Sequence, residues 1–415
     1  WHISGKQYQV NLFSANAKQL TREIGYFLKL IFHQFTPLGL VGVLSGLWAL
    51  WQRQRNLFWL LLLIIIFDVA YALNYEIAED KDAYYLTTHL ALAIALGVGA
   101  KHLFDLLSMR GAKFAMAIII LLAALPPINF AAHYFENNKR NYTIARDFVE
   151  NTLNSVAPGG LLMTLDWQLY SPYLYLRHVE NYRRDITVVD VNLVRRSWYV
   201  EGYLPREYPE MMKACAPEAA AFLEDLKLFE QDKSYDVARI NARFLALLNA
   251  FIEYHLPERS AHLMLPMEPG VGTKFNWVPQ GLTIGLYEDK VYRPEPTLPL
   301  QLRGLLDGTV YLDEVVRAKV IPTYAVMAAN RGKYLTLGKQ FDAAMEQFQL
   351  ALKLDPELDR AYEFMGDSYA LQNRVADALA AYEKALLLNP SNNALQQRIQ
   401  ALRSGAPVAI PGSQP

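Results

Sequence analysis

Cysteine is almost absent from this sequence: Cys215 is the only one in 415 residues. That excludes an internal disulfide and a cysteine-based zinc site. The net charge is −1, so nothing global draws the chain to nucleic acid, and no such partner is expected. Also missing are a GxGxxG turn, a phosphate-binding P-loop, an HExxH pair and a nucleophile elbow. No cofactor is evident and no metal ligands are assigned. His255 and His262 are seven residues apart, but a proline intervenes and no acid partner is in view, so they read as structural. The first residues, WHISGKQYQV, lack both a methionine and the charged, apolar, small order of a signal peptide. They read as the start of a fragment whose upstream part is missing.

What is present is unevenly distributed. Mean hydropathy is +0.05, an average over a membrane-like first third and a soluble remainder. Four segments approach the ~20 residues that cross a bilayer: about 30–52, 56–75, 83–104 and 114–135. The first carries no acid, lysine or arginine, and the second only Asp68. LFWLLLLIIIF is apolar on every side, which favours lipid over a protein core. Residues 15–32 place apolar residues at helical spacing with Lys18, Arg22 and Lys29 between them, the pattern of a helix lying at the membrane interface.

The connecting loops set an orientation. QRQRN (52–56) and LLSMRGAK (106–113) are basic, whereas NYEIAEDKDAY (74–84) is acidic. The positive-inside rule puts the basic loops in the cytoplasm. The acidic loop, the chain start and everything after the fourth span then lie outside. Asp68 sits near the outer end of its span. Intramembrane acids are often functional, but this one is close enough to the interface to be reached by water.

Past the spans an α/β pattern begins. LLMTL (161–165) follows the breaker APGG and reads as a buried strand, and DITVVDV (185–191) as a second. Between them SPYLYLRHVENY (171–182) opens on Ser-Pro, a helix-start signal. Strand, helix, strand makes a parallel, right-handed βαβ unit. HLMLP (262–266) and GLTIGLY (281–287) read as further strands, and 217–256 as helical. Asp166 ends the first strand and is followed within ten residues by Trp167, Tyr170, Tyr173 and Tyr175. Asp190 and Asn192 end the second, and Arg195, Trp198 and Tyr199 follow. Open α/β sheets bind ligands at the carboxyl ends of their strands. Carboxylates accept sugar hydroxyl bonds and aromatic faces cover apolar sugar faces, so Asp166, Trp167, Tyr170, Tyr175, Asp190, Asn192, Trp198 and Tyr199 form a candidate site for a polyhydroxyl ligand. Arg195 would hold a phosphate. The competing reading is that Asp166 caps the next helix, the rings pack, and Arg195 and Arg196 are a solvated pair.

The C-terminal region repeats itself. Gly332, Ala344, Phe348, Ala351 and Pro356 recur as Gly366, Ala378, Tyr382, Ala385 and Pro390, each pair 34 residues apart. This period and residue set resemble the tetratricopeptide repeat. Tyr362 and Tyr369 stand at expected positions of the second unit; Ala328 replaces an aromatic in the first. A helix at 392–403 would cap the array, and 404–415 would be a loose tail. The repeats imply a protein partner or acceptor, or a plain packing module.

The expected fold is thus multi-domain: a helical transmembrane bundle (1–135), an α/β domain (136–315) and a tetratricopeptide array (322–403). The stretch LLMTLDWQLYSPYLYLRHVENYRRDITVVDVNLVRRSWYV resembles bacterial membrane proteins related to the transmembrane-protein-260-type protein O-mannosyltransferases, of GT-C glycosyltransferase architecture. Asp166, Tyr175, Arg183, Asp185, Trp198 and Tyr199 fit its pattern, and NYEIAEDKDAYYLTTHLALAIALGVG is similar to the family's outer loop and next span. The likeness covers roughly residues 1–290. Trp167 stands where a polar residue is usual, and Arg184 where proline is. The resemblance implies a multi-pass protein of the bacterial inner membrane with its C-terminal part in the periplasm. It also implies transfer of a mannose-like sugar from a polyprenyl-phosphate donor to an acceptor hydroxyl. The family's general base lies in a first outer loop upstream of Trp1, so no residue here is assigned a catalytic role. The alternative from another class is a membrane-anchored repeat scaffold without chemistry, its partners being membrane lipid and protein.

Overall fold

The computed structural model describes residues 13, 15–75, 81–109, 111–256, 258–294 and 298–406, without the side chains of 112, 115, 118, 119 and 122. The chain start (1–12), the centre of the acidic loop (76–80) and the tail beyond 406 lie outside the described residues. The chain forms two compact units, Trp1–Asn137 and Asn138–Pro415.

The first unit is helical: α1 (Ala17–Arg53), α2 (Arg55–Asn74), α3 (Leu86–Ser108) and α4 (Ala112–Asn137). α1 opens with a capping box, in which Asn16 Oδ1 accepts from Gln19 N (3.0 Å) and Gln19 Oε1 accepts from Asn16 N (2.8 Å). It breaks at Thr36, whose φ of 57° is left-handed, just before Pro37. Pro37 lacks the N–H that would continue the ladder, and Thr36 Oγ1 restarts the helix by accepting from Gly39 N at 3.4 Å. Residues 15–32, expected at the interface, make up most of the half before this break. Among the described residues, three helices are long and apolar enough to cross a membrane: Ala17–Arg53, Arg55–Asn74 and Lys81–Ser108. The fourth expected span, 114–135, falls inside α4, a helix of 26 residues.

α1 and α3 meet backbone to backbone. A Cβ added to Gly46 would lie 1.8 Å from the Ala95 carbonyl oxygen, and one added to Gly99 would lie 1.8 Å from that of Gly42. Gly42 and Gly46 face Ala95 and Gly99, a small-xxx-small pair on each helix, the arrangement that lets helices approach closely in lipid. Asp68 has a specific task here. Its carboxylate accepts from Thr88 N (3.0 Å) and Thr88 Oγ1 (2.6 Å), so α2 supplies an acceptor to the first turn of α3.

The second unit holds α5 (Ile144–Asn154), β1 (Leu161–Thr164), α6 (Trp167–His178), β2 (Thr187–Asp190) and four short or medium helices, α7 (Val191–Val194), α8 (Leu204–Glu207), α9 (Pro209–Ala214) and α10 (Ala216–Glu230). Then come α11 (Val237–His255), β3 (Ala261–Leu263), β4 (Asn276–Gln280) and β5 (Thr283–Tyr287). The sheet order is β2-β1-β3-β5-β4. β1 runs parallel to β2 and β3, as the βαβ pattern predicts, and β5 runs antiparallel to both β3 and β4. β4 was not expected. Asn-Trp-Val-Pro-Gln carries a proline, which normally demotes a strand, but β4 is the outermost strand of the sheet. Gly281, at φ +55°, makes its two-residue turn into β5.

The array follows: α12 (Ile321–Leu337), α13 (Phe341–Leu354), α14 (Asp359–Leu371), α15 (Val375–Leu388) and α16 (Asn393–Arg403). The α/β part and the array, expected as successive domains, share one core. Phe148, Met163 and Leu248 belong to the same buried cluster as Tyr324, Met327 and Leu354. Asn151 donates to the Tyr324 hydroxyl at 2.7 Å, and Arg331 donates to the Pro279 carbonyl at 3.1 Å. The repeat's own logic is steric. A Cβ on Gly332 would lie 2.5 Å from the Phe348 ring, and one on Gly366 would lie 2.3 Å from Tyr382. Each glycine is the hollow that takes the ring of the next helix.

Candidate functional site

The carboxyl ends of β1 and β2 bring together Asp166, Asp190 and Asn192. Asp166 Oδ1 accepts from Gln168 N at 2.8 Å and caps α6, which therefore starts four residues before the expected Ser-Pro signal. Asp190 Oδ1 accepts from Leu193 N at 3.0 Å and starts α7. Asn192 Nδ2 donates to the Leu165 carbonyl at 3.1 Å and ties the two strand ends. Burial holds both carboxyl groups above the ordinary range, partly opposed by these backbone bonds, and the Asp166 charge adds to the rise at Asp190. Both acids also serve as caps.

The ring cluster has a structural answer. β2 is an outer strand of the sheet, so one row of its backbone groups has no ladder partner. Tyrosine hydroxyls cover it. Val188 N donates to the Tyr208 hydroxyl at 3.1 Å, which returns a bond to Val188 O at 3.3 Å. Asp190 N donates to the Tyr199 hydroxyl at 3.2 Å. Tyr170 backs Tyr199 at 2.9 Å, and Tyr173 backs Tyr208 at 3.1 Å. Tyr170 and Tyr199, expected to face a ligand, are instead buried beneath the surface. Trp167 (54% exposed), Trp198 (42%) and Tyr175 (56%) keep open faces. Tyr208 was missed, because nothing near it in sequence marks it as the partner of a strand twenty residues away.

Arg195 is committed elsewhere than to a phosphate: it pairs with Glu268 at 2.7 Å and lies over the Phe244 ring at 4.5 Å. Arg183 and Asp185, which carry part of the family resemblance, close the end of α5. Arg183 donates to the Leu153 and Val156 carbonyls, both at 3.0 Å, and pairs with Asp185 at 3.0 Å. His262 sits in β3 with Nδ1 2.9 Å from Thr283 Oγ1, and burial pushes its imidazole down to about 4. His255 Nδ1 is 2.8 Å from the Phe251 carbonyl oxygen.

The second candidate surface is the array. α14 and α16 are joined by charge: Arg398 Nη1 donates to Glu363 at 2.9 Å and to Asp367 at 3.1 Å. The Tyr382 hydroxyl also donates to Asp367, at 2.7 Å. Burial raises the Asp367 carboxyl, and Tyr382 and Arg398 oppose the rise. Lys333 of α12 lies over the Phe364 ring of α14 at 4.8 Å, so the first helices of the two repeats share a face bearing both cation and ring.

Comparison with known proteins speaks to this array. The tetratricopeptide repeat family model matches residues 359–392. The small glutamine-rich tetratricopeptide repeat-containing protein 2 of Saccharomyces cerevisiae is 34% identical over 74 residues, 18% of this chain and 21% of its own. Its namesake in Mycosarcoma maydis is 30% identical over 80 residues, 19% of this chain and 23% of its own. The chloroplastic tetratricopeptide repeat domain-containing protein PYG7 of Arabidopsis thaliana is 34% identical over 64 residues, 15% and 21%. The chain spans about a fifth of the length of these relatives. The glycosyltransferase resemblance draws no support from them. This chain carries a C-terminal tetratricopeptide repeat and is similar, over that module, to other proteins that carry one.

Proposed function

We propose that the protein is a membrane-anchored scaffold whose tetratricopeptide array docks a protein partner. The observation that carries this reading is the pair of 34-residue units, both folded as helix pairs, in a chain whose described residues also include three helices fit to cross a membrane. The sheet supports the array through a common core, so the docking surface is held rigidly with respect to the α/β part. The finer reading places the C-terminal unit outside the cytoplasm, on the basic loops at Arg53–Arg55 and at Lys113; that the membrane is a bacterial inner membrane, and the outer side the periplasm, is implied by the family resemblance alone.

Site-specific photocrosslinking in cells tests the docking. A crosslinker at Lys333, on the face shared by α12 and α14, should give one discrete protein adduct. One at Leu387, 71% exposed on α15, should not. No adduct at Lys333, or equal adducts at both, would sink the reading.

A second reading keeps a lipid-linked sugar donor as ligand of the α/β part. It rests on Asp166 and Asp190 together at the strand ends with Trp167 and Trp198 exposed nearby. Under it, Trp167→Ala together with Trp198→Ala abolishes binding of a polyprenyl-phosphate sugar by the intact chain in nanodiscs. Under the scaffold reading there is no such binding to lose.

A further inference from the structure

The first unit gathers three side chains of metal-ligating type. His33 of α1, His133 and Glu136 of α4 place their ligand atoms within 4.8 Å of one another. The two imidazole rings are 4.2 Å apart between centroids and inclined at 58°. His133 Nδ1 lies 3.5 Å from Glu136 Oε2, on residues one helical turn apart.

We infer that His33, His133 and Glu136 bind a divalent transition metal, zinc foremost. The donor set is two imidazole nitrogens and a carboxylate oxygen. Nitrogen-rich sites suit zinc, copper, nickel or cobalt, whereas magnesium and calcium take oxygen shells. Zinc bonds of about 2.0–2.1 Å in a tetrahedron put neighbouring ligand atoms roughly 3.4 Å apart. The His133–Glu136 separation already matches such an edge, and His33 needs only a side-chain adjustment to close the third corner. Three protein ligands leave a fourth position for water.

The backbone around the cluster is organised to hold it. His33 precedes the break at Thr36 by three residues, and the left-handed φ there ends the first half of α1 at this level. Asn129 of α4, one turn before His133, donates from Nδ2 to the Gln34 carbonyl at 3.1 Å. The two helices are therefore fastened beside the proposed ligands. The cluster lies in the last two turns of α4, the end remote from the basic loop before α4, and His33 is exposed, so an ion from solution can reach it. A bound metal would pin the N-terminal half of α1 to α4.

The test is cobalt titration of the intact, tag-free chain in detergent, followed by zinc competition. One equivalent of cobalt should give visible bands of four-coordinate type, which zinc abolishes. His33→Ala and His133→Ala should each weaken binding by roughly tenfold or more. His178→Ala, at an exposed histidine outside the cluster, should change nothing. Where an alanine variant loses helicity, His33→Gln and His133→Gln take its place. Absence of stoichiometric binding, or binding unchanged in the His33→Gln/His133→Gln double variant, would overturn the site.

Discussion

Glycine serves opposite contacts in the two units. In the first, Gly46 and Gly99 are small so that one helix backbone can touch another, with carbonyl oxygens where a methyl would go. In the second, Gly332 and Gly366 are small so that an aromatic ring can enter a helix surface. Under the membrane-anchored reading, which puts the first unit in lipid and the second in water, the difference follows from the solvent. Apolar helices in lipid gain nothing by hiding from water, and close backbone packing is the available attraction. In water, burying a ring is itself the driving force.

The comparison predicts a ranking of damage. Gly46→Val should be the most harmful, because backbone of α3 cannot step aside; we expect a loss above about 3 kcal/mol, read as collapse of the detergent-solubilised helical unit in thermal unfolding. Gly366→Ala sets a methyl against a side-chain ring rather than against backbone, and should cost about 1–3 kcal/mol in unfolding of the C-terminal unit. If the valine is tolerated better than the alanine, the distinction between backbone and ring contacts fails.

Two changes sharpen the account of the α/β part. Tyr208→Phe strips the outer strand of the hydroxyl that Val188 N needs, leaving a buried donor unpaired at about 1–3 kcal/mol, measurable by denaturant unfolding. Asp190→Asn should instead stabilise at neutral pH. Its carboxyl is raised in the fold, chiefly by burial. An acid with a raised folded value is destabilising once ionised, and the penalty fades as pH falls through that value toward 3.8. The gain in melting temperature should therefore be clear at pH 7 and gone near pH 3, since the amide oxygen still accepts from Leu193 N. A gain that persists in acid would assign the effect to something other than charge.

Much of this fold is legible in the sequence where one local pattern decides the outcome. The apolar runs at 30–52 and 56–75 fall within helices fit to span a membrane, and the 34-residue period falls on two helix pairs. The βαβ unit was legible from one short apolar run and one β-branched run about a helix. What failed depended on neighbours. β4 hides behind a proline that only an outer position tolerates. α6 starts at Trp167, behind its cap Asp166, because a carboxylate facing free backbone donors outranks a Ser-Pro pair. Tyr170 and Tyr199 were read as a ligand surface, since nothing local separates a ring that covers a strand edge from one that covers a sugar.

By itself the sequence determined the apolar helices, the parallel strands and the repeat, because hydrophobic periodicity and glycine spacing act within a few turns of chain. Only the tertiary structure decided that Asp68 serves α3, that Tyr208 closes the sheet edge, that the array shares its core with the sheet, and that His33 meets His133. Each of these joins residues 20 or more positions apart. Such contacts are selected by how whole surfaces pack, and leave no mark at either partner alone.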